Sequence, residues 1–231
     1  MHFEILVEDS SGTRLLEHLL PKLIGPRDAP HSWRLHPYRG ISRIPRNLVK
    51  EPFPAHRDLL LQLPRLLRGY ARTPGYDAVV VVCDTDRRDC AEFLAALRDV
   101  AAITGAEAIT MFRLAIEEME SWYLGDPKAL FAAYPAAKKG LYEAYIQDSI
   151  CGTWERLADI VEPGGSRAIQ NAGRSAPGDV KHKWAKNIGP LMDPDRNRST
   201  SFGKLRDGLR RLAAQPTFSP TKALSNPAAP R

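Results

Sequence analysis

Residues 78–82 read Ala78-Val79-Val80-Val81-Val82, an unbroken apolar run dominated by β-branched side chains. A run this short, without the apolar–polar alternation of a half-solvated strand, predicts a strand buried on both faces, as in a parallel sheet covered by helices. Cys83-Asp84-Thr85-Asp86 follows directly. The strand therefore delivers carboxylates at its C-terminal end, where open α/β sheets bind their ligands. Period-two alternation predicts that Asp84 and Asp86 share one side. Two neighbouring acids repel unless a cation lies between them, and Mg²⁺, which takes oxygen ligands, suits that place. The same acids also suit a turn or the cap of a following helix. On these residues alone both readings stay open.

The chain begins with a second short apolar strand, residues 3–7, which also ends on an acid, Glu8. After a polar turn, Leu15, Leu16, Leu19, Leu20 and Leu23 recur at helical spacing, with Ser10 or Ser11 as the expected N-cap. This strand–acid–turn–helix unit brings Glu8 to the same rim as Asp84 and Asp86. Residues 25–50 are rich in Pro, Arg and aromatics, with a strand expected at 33–38 and a turn at Gly40. Arg34, Arg39, Arg43 and Arg46 either touch phosphates or form a solvated basic loop.

A helix is expected over 59–70, kinked or restarted at Pro64. An amphipathic helix follows over 87–103, with Asp89 as its cap or as an outer acid. A strand is expected at 109–116. Glu117-Glu118-Met119-Glu120 then opens a helix. Acids in a first turn complement the helix dipole, and Glu117 or Glu120 could also reach the acidic rim. Further helices are expected over 127–134, over 153–161, from 181 with lysines on a mostly exposed face, and up to about 213. The fold class is α/β: a mostly parallel sheet flanked by helices (residues 1–126), a helical C-terminal elaboration packed on it (127–214), and a Pro- and Ser-rich flexible tail (215–231).

At 231 residues, 43% hydrophobic and 26% charged, the chain can build a packed core. No run approaches a membrane span, and the first residues lack the pattern of a secretory signal, so a cytoplasmic protein without a membrane partner is expected. The three cysteines, Cys83, Cys90 and Cys151, form no Cys-x-x-Cys pair and the six histidines no His-x-x-x-His pair, which argues against a disulfide scaffold and against zinc. The net charge of +6 favours a polyanionic partner, nucleic acid above all.

Several longer elements stand out. They are Val7-Glu8-Asp9, Asp84-Thr85-Asp86-Arg87-Arg88-Asp89-Cys90, Ile116-Glu117-Glu118-Met119-Glu120-Ser121-Trp122-Tyr123-Leu124-Gly125-Asp126, Gly152-Thr153-Trp154-Glu155 and Asn197-Arg198-Ser199-Thr200-Ser201-Phe202. Taken together, they resemble the Toprim domain of topoisomerases, primases and OLD-family nucleases. They resemble more closely a bacterial family of Toprim-like proteins of unknown function, related to nuclease or toxin subunits encoded beside ABC-type ATPases. The chain departs from the Toprim pattern in having Asp9 where a glycine is usual, and Thr13 and Arg14 near the place of a second early acid. It also has Gly40-Ile41 where relatives often have Gly-Lys, so that Arg39 or Arg43 would take the lysine's part.

The resemblance implies a Mg²⁺- or Mn²⁺-dependent nuclease, the effector of a two-gene anti-phage system with an ABC-type or AAA ATPase partner. It implies Glu8, Asp84, Asp86 and Glu120 as catalytic residues, and Glu8, Asp84, Asp86, Asp89 and Glu120 as metal ligands. Lys181, Lys183, Arg196 and Arg198 would neutralise phosphates, with Asn197 and Ser199 as neutral donors. Packing and capping are the other reading of Asn197 and Ser199. The alternative function is a non-catalytic regulatory or toxin subunit that binds an ATPase. A haloacid-dehalogenase-type phosphatase, with Asp84 as nucleophile and Asp86 as general acid, fits less well: Arg88 stands where that pattern wants Thr or Val, and Glu8 has no role.

Overall fold

The computed structural model describes residues 1–40, 42–49, 58–73, 75 and 77–215. Residues 216–231, nearly all of the expected tail, lie outside the described residues, as does Ile41. Four strands, β1 (His2–Val7), β2 (Ser32–Pro37), β3 (Ala78–Asp84) and β4 (Thr110–Ala115), form an all-parallel sheet in the order β2-β1-β3-β4. Its helices are α1 (Ser10–Ile24), α2 (Leu59–Arg72), α3 (Cys90–Thr104), α4 (Glu120–Leu124) and α5 (Pro127–Ala133). They continue as α6 (Lys139–Glu143), α7 (Thr153–Val161), α8 (Gly165–Asn171), α9 (Ala176–Ile188) and α10 (Thr200–Ala213). This is an α/β fold consistent with the Toprim-like expectation.

The run at 78–83 is buried on both faces, each residue at most 2% exposed. Val80 and Val82 join Phe3, Ile5 and Val7 under α1 and the C-terminal helices, in one apolar core that also holds Trp122, Leu157, Trp184 and Leu205. Val79, Val81 and Cys83 join Leu6 beneath Leu59 and Leu63 of α2 and Phe93 and Leu97 of α3. Residues on both sides of position 126 thus share the first core. The sheet grows from β1 to β2 in one direction and from β3 to β4 in the other, so the switch point lies between β1 and β3, at the ends that carry Glu8 and Asp84.

Several boundaries differ from expectation, each for a local reason. The α1 cap is Asp9, not a serine: its carboxylate accepts from Gly12 N and from Ser11 Oγ, both at 2.6 Å. Helix α2 does not restart at Pro64 but continues to Arg72, two residues past the expected end. Helix α3 starts at Cys90 rather than 87, because Asp89 caps it by accepting from Ala91 N and Glu92 N. Glu117 does not open a helix; it sits at φ 56°, and α4 begins at Glu120. Helix α9 starts at Ala176, ahead of Lys181. Among the described residues no helix is long and apolar enough to cross a membrane.

Candidate active site

Glu8 follows β1 and Asp84 closes β3, side by side in the sheet. Glu8 N donates to Val82 O at 3.3 Å, and Asp84 N donates to Glu8 Oε2 at 2.9 Å. The segment after β4 is fastened alongside by Thr85. Its N–H donates to Ala115 O at 3.0 Å, its hydroxyl accepts from Glu117 N at 2.7 Å, and Asp86 N donates to Glu117 O at 2.9 Å. Met119 N then donates to Asp84 Oδ1 at 3.0 Å, which draws Glu120 to the rim. Helix α9 adds a cation: Lys181 Nζ lies 3.1 Å from Glu120 Oε2 and 3.4 Å from Glu118 Oε1.

Burial raises the Glu8 carboxyl from 4.5 to about 7; the charges of Asp86 and Asp9 add to this, and the Asp84 N–H opposes it. Burial, then Glu8 and Glu120, push Asp84 well above the usual carboxylate range. Glu118 rises to about 7 and Glu120 also rises, both mainly through burial. Burial alone would lower Lys181, but Glu120, Glu118, Asp84 and Asp9 outweigh it and hold the ammonium charged. One cation thus faces more buried carboxyls than it can neutralise.

The donor set suits a hard divalent cation in chemistry: carboxylate oxygens whose mutual repulsion a cation would relieve. Among the described residues, Glu8 Oε1 and Asp84 Oδ2 accept no hydrogen bond from the protein. Also among the described residues, no three His, Cys, Asp or Glu side chains converge into a ready-made cage. Mg²⁺ does not need one, since it commonly binds through one or two carboxylates, waters and substrate phosphates. Glu8 and Asp84 fit that pattern.

The other expected ligands are placed differently. Asp86 does not share a side with Asp84 by alternation, because the strand ends at Asp84 and Asp86 turns to φ 49°. Its carboxylate pairs with Arg88 at 2.7 Å, although Glu8 still feels its charge. Asp89 is the α3 cap. Glu120 belongs to the cluster but is held by Lys181. Glu117 points elsewhere: its carboxylate accepts from the N–H groups of Cys151, Gly152 and Thr153 at 2.9–3.0 Å and from Thr153 Oγ1. Asp9 and Glu118 are cluster members that the sequence reading did not single out, although each adjoins or nearly adjoins an acid that it did.

The cations divide in the same way. Arg39 and Arg43 are exposed near this rim: Gly40 N donates to Glu8 O at 3.0 Å, and Arg88 reaches Ser42 O at 3.0 Å. Lys181 is not on an exposed face as expected, its side chain being 17% exposed. Lys183 pairs with Glu162. Arg196 grips the fully buried Asp126 with two 3.0 Å bonds and Asp193 with a third. Asn197 donates to Trp122 O at 2.7 Å, Arg198 bonds Tyr142 Oη, and Ser199 caps α10. The motif elements therefore meet in pairs: Glu117 with Gly152 and Thr153, and Trp122 with Asn197 and Ser201. Comparison of the chain with protein-family models, with curated proteins and with solved structures found no match.

Proposed function

We propose that this chain is a metal-dependent nuclease of the Toprim type, with nucleic acid as substrate and Mg²⁺ or Mn²⁺ as cofactor. The observation that carries the reading is the pairing of Glu8 and Asp84 across the switch point of a parallel sheet, bonded to each other and, among the described residues, each keeping one oxygen without a protein donor. Glu8 and Asp84 would hold the divalent ion, which when bound polarises a phosphoryl oxygen and stabilises the leaving oxygen. Burial and the charges of Asp86 and Asp9 raise the Glu8 carboxyl to about 7, and a divalent ion at the rim would relieve that repulsion and favour the ionised form. Lys181 holds Glu120 and Glu118, and Arg39 and Arg43, both exposed, would meet phosphates approaching the rim.

Incubation of the purified protein with plasmid and Mg²⁺ or Mn²⁺ tests this. Cleavage by the wild type that is abolished in Glu8→Ala and Asp84→Asn is expected; cleavage retained by both variants overturns the reading. A second reading, a non-catalytic subunit that acts on or through an ABC-type or AAA ATPase, draws support from the internal neutralisation of Glu118, Glu120 and Asp86 by Lys181 and Arg88. No heat signal on titration with Mn²⁺, together with capture of a co-encoded ATPase, favours that one. Under either reading, a place in a two-gene anti-phage system is part of the proposal.

A further inference from the structure

Between α3, the free edge of β4 and α10 lies a cleft of about 630 Å³, within the size range of small-molecule sites. An adjoining hollow of about 310 Å³ continues it along the same edge and shares Arg98, Arg113 and Arg211. One wall is apolar: Leu94, Phe112, Leu114 and Ile116. The charged groups are mostly cationic: Arg98, Arg113, Lys204 and Arg211, against Asp148 and Asp207, with Thr200 and Ser201 as neutral polar neighbours.

Both acids are already engaged. Asp148 accepts from Ser199 Oγ at 2.8 Å and Thr200 N at 2.7 Å at the start of α10, and Asp207 accepts from Arg206 Nε at 2.8 Å. Among the described residues, none of the four cleft cations has a carboxylate partner.

Arg113 is held in one pose. Its Nε donates to Lys204 O at 2.8 Å and its NH1 to Phe112 O at 2.6 Å, so NH2 has no protein acceptor among the described residues. Its guanidinium lies against Gly208, where a β-carbon would collide with it. A glycine inside a helix is less favourable than alanine, and here it makes the room that Arg113 occupies. Burial, then the charges of Arg211 and Arg98, press against the positive charge of Arg113, so an anion at this point is favoured from both sides.

We propose that the β4-edge cleft is a nucleotide-phosphate site, with the phosphate on Arg113, Arg98 and Arg211 and the base along the apolar wall of Leu94, Phe112, Leu114 and Ile116. Guanidinium groups match phosphate geometry and stack on flat rings, and the wall supplies the surface a base needs. The nucleotide unit comes either free or as part of a single strand. The cleft shares no residue with Glu8, Asp84, Glu120 or Lys181, so the assignment stands apart from the nuclease reading.

The test uses the full chain in EDTA, so that metal-dependent chemistry plays no part. Fluorescence anisotropy follows the titration of methylanthraniloyl-ATP and, separately, of a short fluorescein-labelled oligothymidylate. At least one probe is expected to bind saturably, and Arg98→Glu/Arg211→Glu is expected to weaken it roughly tenfold or more, the effect of losing charge-assisted hydrogen bonds. Both positions are exposed, and unchanged thermal unfolding verifies that the variant is folded. Should that variant unfold, Arg98→Ala and Arg211→Ala, made singly, are each expected to weaken binding about threefold or more. Binding of the labelled ATP alone identifies a free nucleotide as the ligand, and binding of the oligonucleotide alone identifies a strand. No saturable binding of either probe, or an affinity that the arginine variants leave unchanged, overturns the proposal.

Discussion

The ammonium of Lys181 lies 3.1 Å from Glu120 Oε2, with only 17% of the lysine side chain and 5% of the glutamate side chain exposed. This pair fastens α9 to the carboxyl edge of the sheet. Removing one partner of a buried ion pair leaves an uncompensated charge, at a cost of about 3–5 kcal/mol. Lys181→Met is therefore expected to lower stability by about 3 kcal/mol in urea unfolding near neutral pH. Lys181→Met/Glu120→Gln, which removes both charges but leaves Glu118 without its cation, is expected to recover part of that loss. A single variant as stable as the wild type would show that the pair contributes nothing.

Asp84→Asn is expected to separate activity from stability. The carboxyl of Asp84 is driven well above its usual range by burial and then by Glu8 and Glu120, so its ionised form costs the folded state free energy. The amide removes that cost and keeps an oxygen for Met119 N. Stability should rise by about 1 kcal/mol or more at neutral pH while metal-dependent cleavage disappears. Calorimetry and a plasmid assay on the same preparation check both halves.

The same electrostatics set a pH dependence. Glu8 titrates at 4.5 in the reference state and about 7 in the fold. Between these values the folded state binds the extra proton, so the contribution of Glu8 to stability falls as pH rises from 4.5 through 7, and Glu118, raised to about 7, adds to the same slope. Glu8→Gln should make this slope shallower. Millimolar Mn²⁺ at about pH 8 should raise the melting temperature of the wild type and leave Asp84→Asn unmoved, since binding to the folded state alone stabilises it.

Glu117 behaves in the opposite sense. Burial would raise its carboxyl, but Thr153 Oγ1 and the N–H groups of Cys151, Gly152 and Thr153 prevail and lower it. Its stabilisation is present above the unfolded value of 4.5 and is lost as pH falls through the lower folded value. Glu117→Ala is expected to cost about 2–3 kcal/mol and to speed amide exchange at residues 151–153 ahead of the sheet. Protection there equal to the wild type would count against the clamp.

The legible parts of the site are those that strand patterning dictates. The apolar run at 78–82 and the one at 3–7, interrupted by Glu4, mark β3 and β1, and the acids that follow them stand where parallel strands end. What alternation could not reach was Asp86, because its direction depends on a left-handed turn and on backbone bonding to Glu117, a residue 31 positions away. The charge of Lys181 suggests exposure, although its spacing points the other way. Trp184 and Ile188 stand three and seven positions beyond it, on one helical face, and both are fully buried. The basic and polar residues at 196–199 looked suited to phosphates, but nothing local shows that Asp126, 70 positions before Arg196, is waiting for them.

The bond from Asp84 N to Glu8 Oε2 joins residues 76 positions apart, and the ammonium that tempers the cluster arrives later still, from residue 181. A ribosome that has reached β3 has made the carboxylates but not the lysine that neutralises their neighbours. Pairings so distant in the chain form slowly, so the centre matures only with the last long helices. During synthesis, the acidic cluster would therefore be completed late, only once the part of the molecule that keeps its charge in check has been made.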